Sequence, residues 1–239
     1  GVELWLNDVW EHVARGGEVS DVEKAVGDHG LIVPSVIAMR QWGDFEGWEH
    51  QLVLDEARRR FALGARLGAP FIVATPPLEK EETSHLPERY AELLEIGRQE
   101  GIRPTFEYIS FFKSVHTLRQ AWEIVRDSGD PDATLILDAF HNWNSGSTEE
   151  DLRAIPAEKI SHYHIDDAAP DKAAGTQTDP DRVMPGDGCI DLRAEIDILR
   201  EIGYDGTVSL ELFNEQWWAR KPSETLEIGL KRTKELFGE

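Results

Sequence analysis

Apolar runs too short for helices alternate along the chain with stretches of helical periodicity. The runs predict strands over Val2–Leu6, Leu31–Ala38, Pro70–Thr75, Ile102–Glu107, Leu135–Asp138, Ile160–His164 and Thr207–Phe213. Between them lie amphipathic segments such as Asp191–Gly203, where Leu192, Ile196, Leu199 and Ile202 share one face. Asp191 is placed to cap that helix at its N-terminus and Gly203 to end it, and Ser223 is expected to cap the last helix. Regular β–α alternation with short connections predicts an α/β fold, a parallel sheet with helices outside it. A closed (β/α)8 TIM barrel has eight strands, and seven are visible. The chain opens at Gly1 inside a strand with no initiator Met, so the expectation is a TIM barrel whose first βα unit is missing from this sequence. A seven-stranded open barrel would leave an exposed sheet edge. With no linker or low-complexity segment, one domain over residues 1–239 is expected.

Strand alternation then sorts the side chains. Glu107 shares a face with Thr105 and Arg103, His164 with His162, and Glu211 with Ser209 and Thr207, while Phe106, Leu135, Leu137, Val208 and Leu210 point the other way. The interior of a TIM barrel is normally filled with branched apolar residues, so a polar inner face calls for a ligand. Four strands end in metal-binding side chains, in the order Glu107, Asp138, His164, Glu211. Taken singly, a strand-end carboxylate is more often a cap or a surface charge, and a lone His a packed core residue. The succession of four makes a metal site the better reading. Carboxylate oxygens with one imidazole suit one divalent metal ion, Mn²⁺, Mg²⁺, Co²⁺ or Zn²⁺.

Composition narrows the partners. A net charge of −21 argues against a nucleic-acid partner, no apolar run is long enough for a membrane span, and no signal peptide is read at the start. The single Cys189 excludes an internal disulfide and fits the reducing cytoplasm. Arg182 and Lys113 are the basic residues near predicted strand ends, which favours a neutral polyol over a phosphorylated substrate. Homo-oligomer formation is left open.

The segments Leu137–His141, Tyr163–Asp167, Asp181–Gly188 with Ile190–Leu192, and Ser209–Phe213 carry a resemblance. The chain resembles the xylose-isomerase-like TIM-barrel superfamily of sugar isomerases and epimerases, and within it the 2-keto-myo-inositol (inosose) isomerase group. The resemblance implies that Glu107, Asp138, His164 and Glu211 ligate the metal, and that Glu107 and Glu211 also move protons as the catalytic pair. It implies substrate-binding roles for His141 and Arg182, the latter from the loop after strand seven. The residues themselves add two weaker substrate-binding candidates. Glu3, inward on its strand, either orients a substrate hydroxyl or makes a buried structural hydrogen bond. Trp143, like Trp42, Trp217 and Trp218, follows a strand end where sugar rings stack, and plain packing or an interface is the alternative. His162 is read as packed beneath His164, and Asp167 as holding a loop or a ligand histidine. The implied activity is a divalent-metal-dependent isomerase or epimerase of a keto-cyclitol or sugar, working through a metal-stabilised enediolate, as in cytoplasmic inositol catabolism with manganese. A lyase of the same superfamily, inosose-dehydratase-like or C-glycoside-cleaving, is the main rival, because fold and ligands do not separate the two. A metal-dependent endonuclease is opposed by the acidic surface, and a non-catalytic sugar-binding subunit by the intact ligand set.

Overall fold

The computed structural model describes residues 1–238; Glu239, at the end of the expected domain, lies outside them. The described residues form two compact units, Gly1–Glu107 with Glu123–Thr134, and Tyr108–Trp122 with residues 135–238.

The first unit carries strands β1 (Leu4–Trp5), β2 (Ser35–Met39), β3 (Phe71–Ala74) and β4 (Arg103–Phe106), all parallel and paired in chain order. Helices α1 (Leu6–Ala14), α2 (Val19–Asp28), α3 (Gly47–Arg66) and α4 (Leu86–Glu100) alternate with them. The strands are β-branched and buried, Val36, Ile72 and Val73 completely, as a parallel sheet covered by helices requires. An aromatic triad fills this core: the ring of Trp42 lies 6.0 Å from that of Tyr90 and 5.8 Å from that of Phe106, and Tyr90 stands edge-on to Phe106 at 5.6 Å. The Tyr90 hydroxyl donates to the Thr134 carbonyl at 2.7 Å, which satisfies the polar tip of an otherwise apolar wedge.

Helix α5 (Leu118–Asp127) follows in the chain, and the second unit carries β5 (Leu135–Asp138), α6 (Ala139–Asn144), α7 (Glu149–Arg153) and β6 (Ile160–Ile165). A short antiparallel pair follows, β7 (Asp167–Ala168) and β8 (Arg182–Val183), then α8 (Leu192–Glu201), β9 (Thr207–Leu210), α9 (Glu215–Trp218) and α10 (Pro222–Phe237). β5, β6 and β9 are parallel and adjacent. Leu210 of β9 reaches α10 at Gly229, where any side chain would land on it. Among the described residues no helix is long and apolar enough to cross a membrane.

Seven predicted strands coincide with the seven parallel ones, though several are trimmed. The second starts at Ser35 rather than Leu31, because Pro34 has no N–H to donate and Ile32 is 64% exposed. Arg103 does not join Thr105 and Glu107 on an inner face. It is exposed, with its guanidinium 5.5 Å from the Phe71 ring centre and 3.8 Å from Asp132. Asp191 does cap α8, accepting from the Ala194 N–H at 3.1 Å, and Gly203 ends it in the left-handed conformation at φ +82°. Ser223 does not cap the last helix. α10 begins at Pro222 after Lys221, so Ser223 lies inside the first turn, where the fixed φ of proline has already set the helix.

Gly97 shows how closely α4 approaches β4. A Cβ there would lie 2.5 Å from Pro104 Cδ and against the Ile102 carbonyl oxygen, which is backbone and cannot swing aside. Gly97→Ala is therefore expected to destabilise the protein by roughly 1–3 kcal/mol, read as a lower midpoint at unchanged slope in urea unfolding; an unchanged midpoint would refute this packing.

Candidate metal centre and its buried arginine

Three chemistry-bearing side chains converge in the second unit because three neighbouring parallel strands end at one level. Asp138 closes β5, His164 is the penultimate residue of β6, and Glu211 follows β9. The register pairs Asp138 with His164 and His164 with Ser209, two residues before Glu211 on the same face. His164 Nδ1 lies 3.4 Å from Glu211 Oε2 and 3.8 Å from Asp138 Oδ2. The set is buried, with His164 at 0%, Asp138 at 1% and Glu211 at 16% side-chain exposure. In the first unit Glu107 holds the equivalent position, one residue past β4, buried, with its N–H donating to the Ala74 carbonyl at 3.1 Å.

Arg182 is the centre of the charge network. Its side chain is 1% exposed. Nη1 donates to Asp138 Oδ2 at 2.7 Å and to Asp166, Nη2 to Asp179 Oδ1 at 3.2 Å, and Nη2 lies 3.0 Å from His141 Nε2. Phe140 and Phe213 flank the guanidinium, their ring centres 4.8 and 5.6 Å away. Burial alone would weaken its hold on the proton, but the carboxylates of Asp138, Asp166, Glu211 and Asp179 outweigh that and hold it firmly charged. Burial likewise works against ionised Asp138; Arg182, with His141 and His164, prevails and keeps its pKa at about 2. Asp166 goes the other way. Burial, helped by the charges of Asp138 and Glu211, pushes it well above the carboxylate range in spite of Arg182, and Asp179 is raised for the same kind of reason. One cation thus faces more carboxylate than it can neutralise. That excess, together with a donor set of oxygens and one imidazole, fits a divalent cation.

The predicted site residues divide by what surrounds them. Asp138, His164, Glu211, His141 and Arg182 are brought together. His141 is fully buried, at the start of α6, with its N–H on Asp138 Oδ1 at 2.7 Å and its ring engaged by Ser110 as well as by Arg182. Burial, against the pull of Asp138, brings its pKa down to about 4. Glu3 accepts a hydrogen bond from the Ser35 hydroxyl, which is the structural alternative read from the sequence. Trp143 is half-buried on α6, whereas Trp42 is fully buried in the aromatic triad of the first unit and is packing. His162 packs with its ring 4.9 Å from that of His164. Asp167 holds a loop: its Oδ2 accepts from the N–H groups of Gly186 and Gly188 at 3.0 Å, and its Oδ1 from Ile190 N–H at 2.9 Å. A Cβ on Gly188 would collide with that carboxylate, which is why the turn carries glycine there.

Asp166 was missed although it shares the His164 face by alternation, and it ties the Phe140 N–H at 2.9 Å to Arg182. Asp179, Ser110 and Asn144 have no signal in the sequence, since they depend on how two loops fold.

A family model described as xylose isomerase-like TIM barrel matches residues 1–236. The inosose isomerase of Bacillus subtilis is 34% identical over 191 residues, which cover 77% of this chain and 68% of that protein. The 3-dehydroshikimate dehydratase of Pseudomonas aeruginosa is 28% identical over 97% of this chain but only 37% of its own length. The crystal structure of an IolI protein with a bound zinc atom superposes with a TM-score of 0.90 at 27% identity, covering 98% of this chain and 86% of that one.

Behind the β6 strand, Glu195 of α8 accepts from the buried Tyr163 hydroxyl at 2.8 Å and from Asn142 Nδ2 at 3.3 Å. Burial raises its pKa from 4.5 to about 8. Between those values the folded chain keeps a proton that the unfolded chain has released, so Glu195 makes stability fall as pH rises through that window. Thermal melts of Glu195→Gln at pH 5 and pH 8 are expected to show a smaller loss of Tm on going to the higher pH than the parent chain shows; an equal loss would place the carboxyl in water.

Proposed function

The chain belongs to the xylose isomerase-like TIM barrel family, and we propose that within it the protein is a divalent-metal-dependent isomerase of a keto-cyclitol, acting on 2-keto-myo-inositol or a close relative as one catalytic domain. It is an isomerase or epimerase by kinship; the cyclitol, the metal and the residue roles are our reading. The observation that carries it is the convergence of Asp138, His164 and Glu211, whose ligand atoms lie within 4.8 Å of one another on three adjacent strand ends. Glu107, at the corresponding end of β4, is read as the fourth ligand. When bound there, such an ion supplies Lewis acidity to a ketone and its neighbouring hydroxyl.

The chain's own residues do the rest. Glu211 and Glu107 are assigned the proton transfers. One carboxylate takes the proton from the carbon beside the carbonyl, giving an enediolate, and the other delivers a proton to the former carbonyl carbon. The carbonyl oxygen gains a proton and the neighbouring hydroxyl loses one, so the ketone moves by one carbon and mass is conserved. The greater exposure of Glu211 among the three converging groups supports assigning it to the substrate. Arg182 keeps Asp138 ionised as a ligand, and Trp143 is assigned a stacking role against the ring.

The lyase reading has an observation of its own, the likeness to 3-dehydroshikimate dehydratase. It would use the same proton abstraction and then expel water. Against it, a dehydroshikimate brings a carboxylate, and the guanidinium of Arg182 is already shared among Asp138, Asp166 and Asp179. A neutral polyol asks for no such cation. A cytoplasmic setting is proposed on the single free Cys189, and no partner beyond the small molecule is assigned.

The test is NMR of the Mn²⁺-, Zn²⁺- or Mg²⁺-supplied chain with 2-keto-myo-inositol in D₂O. Expected is an isomeric inosose, heavier only by exchanged deuterium, with turnover lost on chelation and kcat down about 10²–10⁴-fold in Glu211→Gln. A product lighter by water would make the protein a lyase; absence of exchange with every metal would refute the substrate class.

A further inference from the structure

We infer that Ser110 and Asn144 lock the ring of His141 in its Nδ1–H tautomer, and that this lock is what seats Arg182 on Asp138. At the far end of the network stand groups whose hydrogen-bonding sense is not negotiable. The Asn144 amide contacts two backbone groups: its Oδ1 lies 2.8 Å from the Gly175 N–H and its Nδ2 lies 3.0 Å from the Gln177 carbonyl oxygen. A backbone N–H only donates and a carbonyl only accepts, so the amide orientation is fixed. Asn144 Nδ2 then donates its other hydrogen to Ser110 Oγ at 2.8 Å.

At the opposite end stands Arg182. A guanidinium has five donors and no acceptor, so Nη2, 3.0 Å from His141 Nε2, requires a lone pair on that nitrogen. The neutral ring must therefore carry its hydrogen on Nδ1. Nδ1 lies 3.1 Å from Ser110 Oγ, which has a second lone pair to receive it. The Ser110 backbone N–H is the rival donor toward Nδ1, but it stands at the longer distance of 3.4 Å. The side chains of the row Asn144, Ser110, His141, Arg182, Asp138 thus share one consistent hydrogen-bonding sense, at the cost of the long contact from the Ser110 backbone N–H, which the charged donor of Arg182 at 3.0 Å outweighs.

The row also reaches the loop between β7 and β8. Gln177 pins that loop with bonds to both backbone groups of Ala169, at 3.0 and 2.9 Å, and to the Lys172 carbonyl at 2.9 Å. The same loop supplies Asp179, which receives Nη2 and Nε of Arg182. Seating the loop, orienting Asn144 and fixing the histidine tautomer are consequently one event. Ser110 and Asn144 are positioning residues: they act on the proposed reaction through His141 and Arg182. That functional consequence rests on the isomerase reading, whereas the tautomer does not.

The experiment uses the full chain labelled with ¹⁵N-histidine and loaded with diamagnetic Zn²⁺. Long-range ¹H–¹⁵N correlation spectra distinguish the two tautomers, and the His141 signals are identified by their loss in His141→Asn. Expected is the Nδ1–H pattern in the parent chain and in Ser110→Thr, which keeps the hydroxyl. In Ser110→Ala the acceptor is gone while the backbone N–H still faces Nδ1, so the ring is expected to flip to Nε2–H and turn a hydrogen toward Arg182. An Nε2–H pattern in the parent chain, or an unchanged Nδ1–H pattern in Ser110→Ala with a native melt, overturns the inference. In the turnover assay Ser110→Ala is expected to lose about 10–100-fold in kcat, with Ser110→Thr restoring it; a flipped tautomer at full kcat overturns the positioning role. A parent chain inert on every inosose while showing the predicted tautomers would refute the isomerase reading and leave the tautomer assignment standing.

Discussion

The second unit depends on one buried charge. Arg182 sits at 1% exposure on a two-residue strand, and its guanidinium joins elements far apart in sequence: Asp138 at the end of β5, His141 on α6, Asp166 after β6 and Asp179 on the loop before it. Removing such a cation from water costs several kcal/mol even after relaxation, and only a full shell of partners offsets that. Here the shell is overfull. Asp166 is driven toward its neutral form while Asp138 stays ionised, so the pair divides the labour. Asp138 remains an anionic donor for a cation, and Asp166 ties the guanidinium to the backbone of α6 through Phe140. Truncating Asp138 would take from the buried guanidinium its ionised partner, a larger loss than that of one hydrogen bond, whereas truncating Asp166 would remove the tie to Phe140.

What delivers Arg182 to this position is loop structure, and loops need internal support to hold a charge there. Asp167 satisfies three N–H groups of the Gly186–Ile190 turn, Gln177 ties down the segment between β7 and β8, and Asn214 donates to the Arg182 carbonyl at 2.9 Å. These side chains, Asp167 and Gln177 buried and Asn214 half-buried, replace the ladder hydrogen bonds that a regular element would have supplied. The strands set Asp138, His164 and Glu211 at one level; the pinned loops set the charge around them.

The division between strands and loops is also the boundary of what the sequence makes legible. Glu107, Asp138, His164 and Glu211 stand out because strand alternation and a common end position are properties of local sequence, and the parallel register brings three of them together as alternation predicts. Gly203 and Asp191 are legible for the same reason: each acts on backbone within one turn. Ser110, Asn144 and Asp179 are invisible because their partners are 31 to 34 residues away for Ser110 and Asn144, and because Asp179 meets Arg182 through a short 3-10 turn with no period to read. The place of Trp42 after a strand leaves it open between ring stacking and packing, since position along the chain does not tell which way an indole turns, and its side chain is part of an aromatic core.

The same distinction bears on how one fold serves both isomerisation and dehydration. Both reactions begin with the removal of a proton beside a carbonyl, so the strand-end carboxylates and imidazole suit either. The difference must come from what meets the rest of the substrate, and that is where the loops act. In this chain the cation that a substrate carboxylate would seek is committed to three aspartates and a histidine, with Phe140 and Phe213 covering its faces. Freeing it would strip Asp138 of the partner that keeps it ionised and so weaken the proposed ligand set. Arg182 is thus committed to the carboxylates at the strand ends, and that commitment is what favours the proposed neutral ring over a substrate that brings a carboxylate of its own.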